Sequence, residues 1–493
     1  MHKPLLLRDV AIGLTGRRAD VRVGDGRVVS IDAVGEVPDG VEAFADVLDG
    51  RGGTLLPGLV DAHTHMLQWA GVRRRVSVAG ARSAAHAVEL LVAAQGPPVD
   101  TDLLTGAHYN ETFWRIPPHK NLLDRAFPGR PVAVFSNDLH AVWLNTEALT
   151  LVGREHPTGV LTEDDAMAVT AALPAPDPAE SDRWVLDATD AAAARGVTTI
   201  ADYEYADTVT DWTRRLSVRP PSTRIRCVIA RFALDRAIER GLRTGDPVPD
   251  GDGLLTVGPV KLFLDGSLNT RTAFCHEPYP GEFPDDEYVG ELLLAEEELL
   301  ALVRRAGQHG ISPALHAIGD GANRIALDVL AAAGVLDGRI EHAQLLNPSD
   351  VPRFAEVGVV AGVQPAHAPD DRDVADRQWP GRTARAFAYA DLLKAGTRLE
   401  FGSDAPVAPL DPWDGIASAV TRTDDDRPPW HPEQALSLPA ALAASAGGRT
   451  TVEVGDPADL VLTGRDLRDL PPDELRDMPI AATILGGRPT HVG

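Results

Sequence analysis

Cysteine is nearly missing from this chain: Cys227 and Cys275 are the only two among 493 residues. So low a count excludes a disulfide framework and a thiolate zinc site, fits a reduced cytoplasmic setting, and leaves nitrogen and oxygen ligands as the only means of holding a metal. Positive charge is also scarce. Against 72 Asp and Glu stand 47 Lys and Arg, and a net charge of -25 repels a polyanion, so nucleic acid is not an expected partner. Long apolar runs are absent as well. The first of them, Leu5-Leu6-Leu7, meets Arg8 and Asp9 too soon to serve as a secretory signal. No later stretch approaches the ~18 consecutive apolar residues of a membrane span, so no membrane association is expected.

What is present is a patterned chain with different ends and middle. Residues 1 to about 56 read as short strands separated by turn signals, such as Ala19-Asp20-Val21-Arg22-Val23, Gly24-Asp25-Gly26 and Arg27-Val28-Val29-Ser30-Ile31. The carboxyl end repeats this with Ala458 to Leu462 and Ala481 to Gly487. One small β-sandwich domain built from residues 1–56 and 446–493 is predicted, around a middle domain of residues 57–445.

From about residue 186 the middle alternates buried-strand and helix signals. The strand runs are Gly196 to Ala201, Ile225 to Ala230, Val257 to Leu264, Ile311 to Ala317, Arg339 to Ala343, Val359 to Gln364 and Arg398 to Ser403. With Leu59 to His65 they make eight, and a (β/α)8 TIM-like barrel is the simplest closed arrangement, giving an α/β fold. Residues 66–185 break the alternation with Pro-rich pieces such as Arg115-Ile116-Pro117-Pro118, and read as an insertion after the first strand, over the active-site mouth.

In such a barrel the chemistry sits at strand ends. His63 and His65, at i and i+2 on one strand, present both imidazoles to the same face, where one metal ion can take both. Lys261 lies inside an apolar strand; His316, His342 and Asp404 end three others. Singly, each His reads equally as a buried ring bonded to a carbonyl, and Asp404 as a helix cap. Together they bring four imidazoles, an amine and a carboxylate to converging strand ends. Lys261 in a barrel interior either loses its proton or pairs with an anion, Asp265 being one candidate four residues on. A neutral lysine amine can also take up carbon dioxide as a carbamate able to bridge two metals.

The chain resembles the amidohydrolase superfamily, in the branch that contains N-substituted formamide deformylases and related metal-dependent hydrolases. The resemblance rests on Pro57 to His65, Val260 to Ser267, Leu315 to Asp320, Arg339 to Gln344, Val363 to His367, Phe401 to Pro406 and Gly455 to Leu460. It implies Zn2+, two ions per chain or one. His63 and His65 bind the first ion, His316 and His342 the second, carboxylated Lys261 bridges them, and Asp404 touches the first while exchanging a proton with the reacting water. Asp265, Gln364 and His367 are candidates for substrate contact, with a turn role for Asp265 and capping or loop hydrogen bonding for the other two as the alternatives. His140, in the insertion, can reach a pocket from above but is not counted among the site residues.

The resulting expectation is a zinc-dependent hydrolase of a non-peptide carbon–nitrogen bond, an N-acyl or N-formyl amine or a cyclic amide, with Asp404 as general acid/base. The alternatives are deamination of a heterocyclic amine on the same barrel, against which Lys261 argues, and a catalytically silent metal-binding paralogue. The expected partner is a small-molecule substrate, in a homo-oligomer on base rates alone. Trp69, Phe113 and Trp114 suggest an apolar or aromatic substrate group, or simple packing.

Overall fold

The computed structural model describes residues 4–36, 46–95, 103–110, 114–136, 141–174, 176–281, 287–334 and 337–493, so His140 and Phe113 lie outside the described residues. At its centre eight short apolar runs form a ring of parallel strands, the pattern expected where both faces of a strand are covered. They are β1 (Leu59–Thr64), β2 (Val197–Asp202), β3 (Arg224–Ala230), β4 (Leu255–Phe263), β5 (Pro313–Ala317), β6 (Arg339–His342), β7 (Val360–Val363) and β8 (Arg398–Phe401). Spatial order follows chain order from β1 to β8. The ring is drawn together just past β8: the Asp404 N–H donates to the His63 carbonyl at 2.7 Å and the His65 N–H to the Ala405 carbonyl at 2.8 Å. Closure therefore falls on three residues the sequence marks as ligands.

Helices connect the strands, among them Thr208–Val218 after β2, Glu296–Gln308 after β4 and Asp320–Ala333 after β5. Glu296–Gln308 buries Leu299, Val303 and Ala306 along one face, and Glu296, Glu297 and Glu298 suit its positive amino end. Asp320–Ala333 stops at Gly334, which takes the left-handed φ of 61° that glycine tolerates. The architecture is the expected α/β barrel, accompanied by separate sheets.

Both chain ends join in one eight-stranded sheet. Its order is Arg488–Val492, Ile480–Leu485, Leu460–Thr463, Thr54–Pro57, Leu5–Ile12, Arg17–Gly24 and Arg27–Asp32, with Asp46–Asp49 also paired to Leu5–Ile12. The termini meet where Leu460 pairs with Pro57 and Leu462 with Leu55. Leu7, Val21, Leu55, Leu460 and Ile484 belong to its apolar core.

The chain divides into two units, Leu67–Ala188 and the remainder. The first holds a five-stranded sheet ordered Val160–Thr162, Ala141–Leu144, Val132–Ser136, Leu104–Tyr109 and Val76–Ser77. Alternate residues of Val132–Ser136 feed two cores, Val132 and Val134 packing with Leu91 and Leu123, Ala133 and Phe135 with Val142 and Leu149. Trp69 is buried, and Trp114 donates its indole N–H to the Ala81 carbonyl at 3.0 Å. Among the described residues no helix is long and apolar enough to cross a membrane.

Candidate metal centre

The strand ends bring His63, His65 and Asp404 into one group whose ligand atoms lie within 4.8 Å of one another. Asp404 Oδ1 stands 3.2 Å from His65 Nε2 and 3.7 Å from His63 Nε2, and its other oxygen 4.0 Å from His342 Nδ1. On the neighbouring strands β5 and β6 the rings of His316 and His342 lie edge to face at 4.4 Å, and His342 is 5.0 Å from His63. Lys261, on β4, is buried with Nζ 5.1 Å from the Tyr203 ring centre and 4.9 Å from that of Phe263. Among the described residues no ion pair joins Lys261 to Asp265.

Each of three imidazoles is tied on one nitrogen. His63 Nδ1 is 2.9 Å from Glu341 Oε2, His316 Nε2 is 3.0 Å from the Gly266 carbonyl, and His342 Nδ1 is 3.0 Å from Gln364 Oε1. These partners accept, so each ring places its proton there and keeps a lone pair on the opposite nitrogen. Burial followed by the Lys261 charge pushes His63 down to about 4 and His316 to about 3. Burial, then His316 and Lys261, holds His342 far below the usual imidazole range. All three are neutral near pH 7, as metal ligands must be.

The carboxylate is fixed in the opposite sense. Burial by itself would raise Asp404, but the bond to His65 and the nearby His63 and His342 outweigh it and hold the group well below the ordinary carboxylate range. His65 answers with a raised pKa, burial being overcome by Asp404. Asp404 and His342 have φ of 56° and 75°, left-handed values that non-glycine residues rarely take. The hydrogen bond from the Asp404 N–H to the His63 carbonyl holds the first of them in place.

Beneath His63 lies a buried charged layer that the sequence did not mark. Glu341 accepts from His63, from the Tyr203 hydroxyl at 2.8 Å and from Arg339 Nε at 2.7 Å, while Arg339 Nη1 reaches Glu400 at 2.5 Å. Tyr203 stacks on the His63 ring at 3.8 Å. Gly362 leaves the room, because a Cβ there would collide with the Glu341 carboxylate. Asp61 is a second missed residue: it accepts from the backbone N–H of His63 at 3.1 Å and of Ser403 at 3.0 Å, binding the ends of β1 and β8 together. The available signal was charge, since Arg339, Glu341, Glu400 and Asp61 sit within otherwise apolar strands.

The remaining candidates occupy different surroundings. Asp265 accepts from the backbone N–H groups of Phe274, Ile318 and Gly319, at 2.9, 3.1 and 2.8 Å, behind His316. Burial pushes its carboxyl up to about 7. Gln364 gives its oxygen to His342. His367 begins the short helix His367–Asp370 after β7, and its buried Nε2 has no partner among the described residues.

The donor set suits a metal ion: among the described residues His63 Nε2 is likewise buried without a hydrogen-bond partner beside the Asp404 carboxylate, and imidazole nitrogen with carboxylate oxygen is a donor set for a divalent cation. Comparison with known proteins agrees. The Amidohydrolase family model matches residues 46–491, and the chain belongs to that family. It is 27% identical to Protein LONG AFTER FAR-RED 3 of Arabidopsis thaliana, over 94% of this chain and 83% of the relative. It is 25% identical to N-substituted formamide deformylase of Arthrobacter pascens, over 95% and 94%. An uncharacterized metal-dependent hydrolase from Pyrococcus horikoshii shares the fold with a TM-score of 0.79 at 22% identity, over 95% of this chain and 99% of that one.

Proposed function

We propose that this protein is a zinc-dependent hydrolase of a non-peptide carbon–nitrogen bond in an N-acyl amine, N-formyl amine or cyclic amide, with Asp404 as general acid/base. The observation that supports this most is the set of three neutral imidazoles, each hydrogen-bonded through one ring nitrogen, near one ionised carboxylate. The similarity to a formamide deformylase favours the N-formyl class. Free, buried Cys227 and Cys275 fit a reducing cytoplasm.

His63, His65 and Asp404 would hold one ion, and His316 with His342 a second. When bound, zinc supplies a Lewis acid and brings a coordinated water to a pKa of about 7. Asp404, an acceptor at neutral pH, takes a proton at a carboxylate oxygen and returns it to the leaving nitrogen. Burial lowers Lys261 to about 8, although Glu341 and Asp404 pull it upward. Its neutral amine would add to carbon dioxide, with the N–C bond formed and one proton released, and the resulting carbamate would offer anionic oxygen ligands to hold both ions. His367, with Nε2 unpartnered among the described residues, is the contact for the substrate carbonyl or leaving group. Gln364 and Asp265 act through His342 and His316, which their oxygens face.

Metal analysis of protein purified without chelator and treated with bicarbonate tests the bridge. About two zinc ions per chain are expected, falling to about one in Lys261→Ala. One ion in both proteins would remove the carbamate bridge, and none in either would remove the metal centre.

A further inference from the structure

In the unit Leu67–Ala188, the strands Val76–Ser77, Leu104–Tyr109 and Val132–Ser136 lie side by side and parallel. Arg75 enters the first of them and lays its guanidinium over the Phe135 ring, 3.8 Å from the ring centre. Among the described residues the buried Nη1 of Arg75 has no hydrogen-bond partner and no carboxylate pairs with this side chain. Its neighbour Arg74 is paired, with Asp187 at 2.6 Å.

Leaving a cation partly buried and unpaired is costly. Burial lowers this guanidinium only to about 10, so it stays charged at neutral pH. Its charge acts on the neutral side chain of His108. Ser77 Oγ and His108 Nδ1 lie 3.1 Å apart, and burial, then the Arg75 charge, lowers the imidazole's proton affinity. His108 has a left-handed φ of 69°. One face of the guanidinium is taken by Phe135, which leaves the in-plane N–H fork, the geometry that grips an oxyanion through two parallel bonds.

We propose that Arg75, with Ser77 and His108 beside it, binds an oxyanion, the carboxylate or phosphate group of a small ligand, within this unit. The site stands independently of the proposed hydrolysis.

The test is titration of the full-length protein by calorimetry at fixed pH and ionic strength, with acetate in one arm and inorganic phosphate in the other. Wild type, Arg75→Met and Arg75→Lys are compared at equal metal content. Saturable binding is expected in at least one arm, weakened about tenfold or more in Arg75→Met, with Arg75→Lys between them because it keeps the charge and loses the fork. The stronger arm assigns the ligand's headgroup. Without anion, Arg75→Met is expected to unfold at the same or a higher temperature than wild type, since an uncompensated cation has gone. Equal binding by wild type and Arg75→Met, or no saturation in either arm, would overturn the proposal. So would a less stable Arg75→Met whose anion binding is unchanged, since the side chain would then serve only to pack on Phe135.

Discussion

Replacing Glu341 with alanine is expected to lower stability by about 3–5 kcal/mol and to weaken zinc binding about 10–100-fold. Both effects follow from one carboxylate serving three donors. Without it Arg339 keeps the Glu400 carboxylate, the Tyr203 hydroxyl loses its acceptor, and His63 loses the group that fixes its proton on Nδ1. Burial by itself would raise Glu341, but Arg339 and then His63 outweigh it and hold the carboxyl well below the ordinary carboxylate range. Glu341→Gln keeps the volume and one acceptor, so its losses should be smaller on both scales. Denaturant unfolding and competition with a chelator read the two quantities separately. A loss of stability with unchanged zinc affinity would make Glu341 a structural residue only.

The second large effect falls on Asp404. In Asp404→Asn the amide cannot take up a proton, and turnover is expected to fall about 10²- to 10⁴-fold, the range of a positioned general acid/base. Asparagine still offers an oxygen toward His65, so the folded barrel should persist and far-ultraviolet circular dichroism should match the wild type. Steady-state kinetics on any hydrolysed substrate checks this. Undiminished kcat would contradict the assignment of Asp404.

The barrel was legible in the sequence because strands covered on both faces are mostly apolar, and such runs stand out between helical patterns. Ile225 to Ala230 was expected where Arg224–Ala230 is found, and Val359 to Gln364 where Val360–Val363 is found. The sheet shared by the termini was visible in turn chemistry: Asp25 and Gly26, with φ of 48° and 72°, form the two-residue hairpin that the Gly24-Asp25-Gly26 run suggests. The five-stranded sheet of the unit Leu67–Ala188 was not visible. Ala141–Leu144 and Val132–Ser136 are apolar runs of four and five residues, too short to tell strand from buried helix. Leu104–Tyr109 carries Gly106 and His108, both poor strand signals.

The ligand-type residues could be named one by one because barrel chemistry gathers at strand ends. What holds them could not. The acceptors that orient His63 and His316 come from β6 and from the loop after β4, far away in sequence, and only folding brings them into reach. Lys261 invited pairing with Asp265, four residues on; instead Asp265 collects the backbone N–H groups of Phe274, Ile318 and Gly319. A carboxylate near a lysine in sequence was thus a weaker guide than the unpaired N–H groups of a loop, which any fold has to satisfy.

Amine release from a panel of N-formyl amines, N-acetyl amines and cyclic amides, compared between the zinc-loaded protein and the same protein stripped of metal, is the most direct test of metal-dependent hydrolysis. The expected result is turnover of at least one of these classes by the loaded protein alone. No release from any of them, or equal release after stripping, would contradict a metal-dependent hydrolase of carbon–nitrogen bonds.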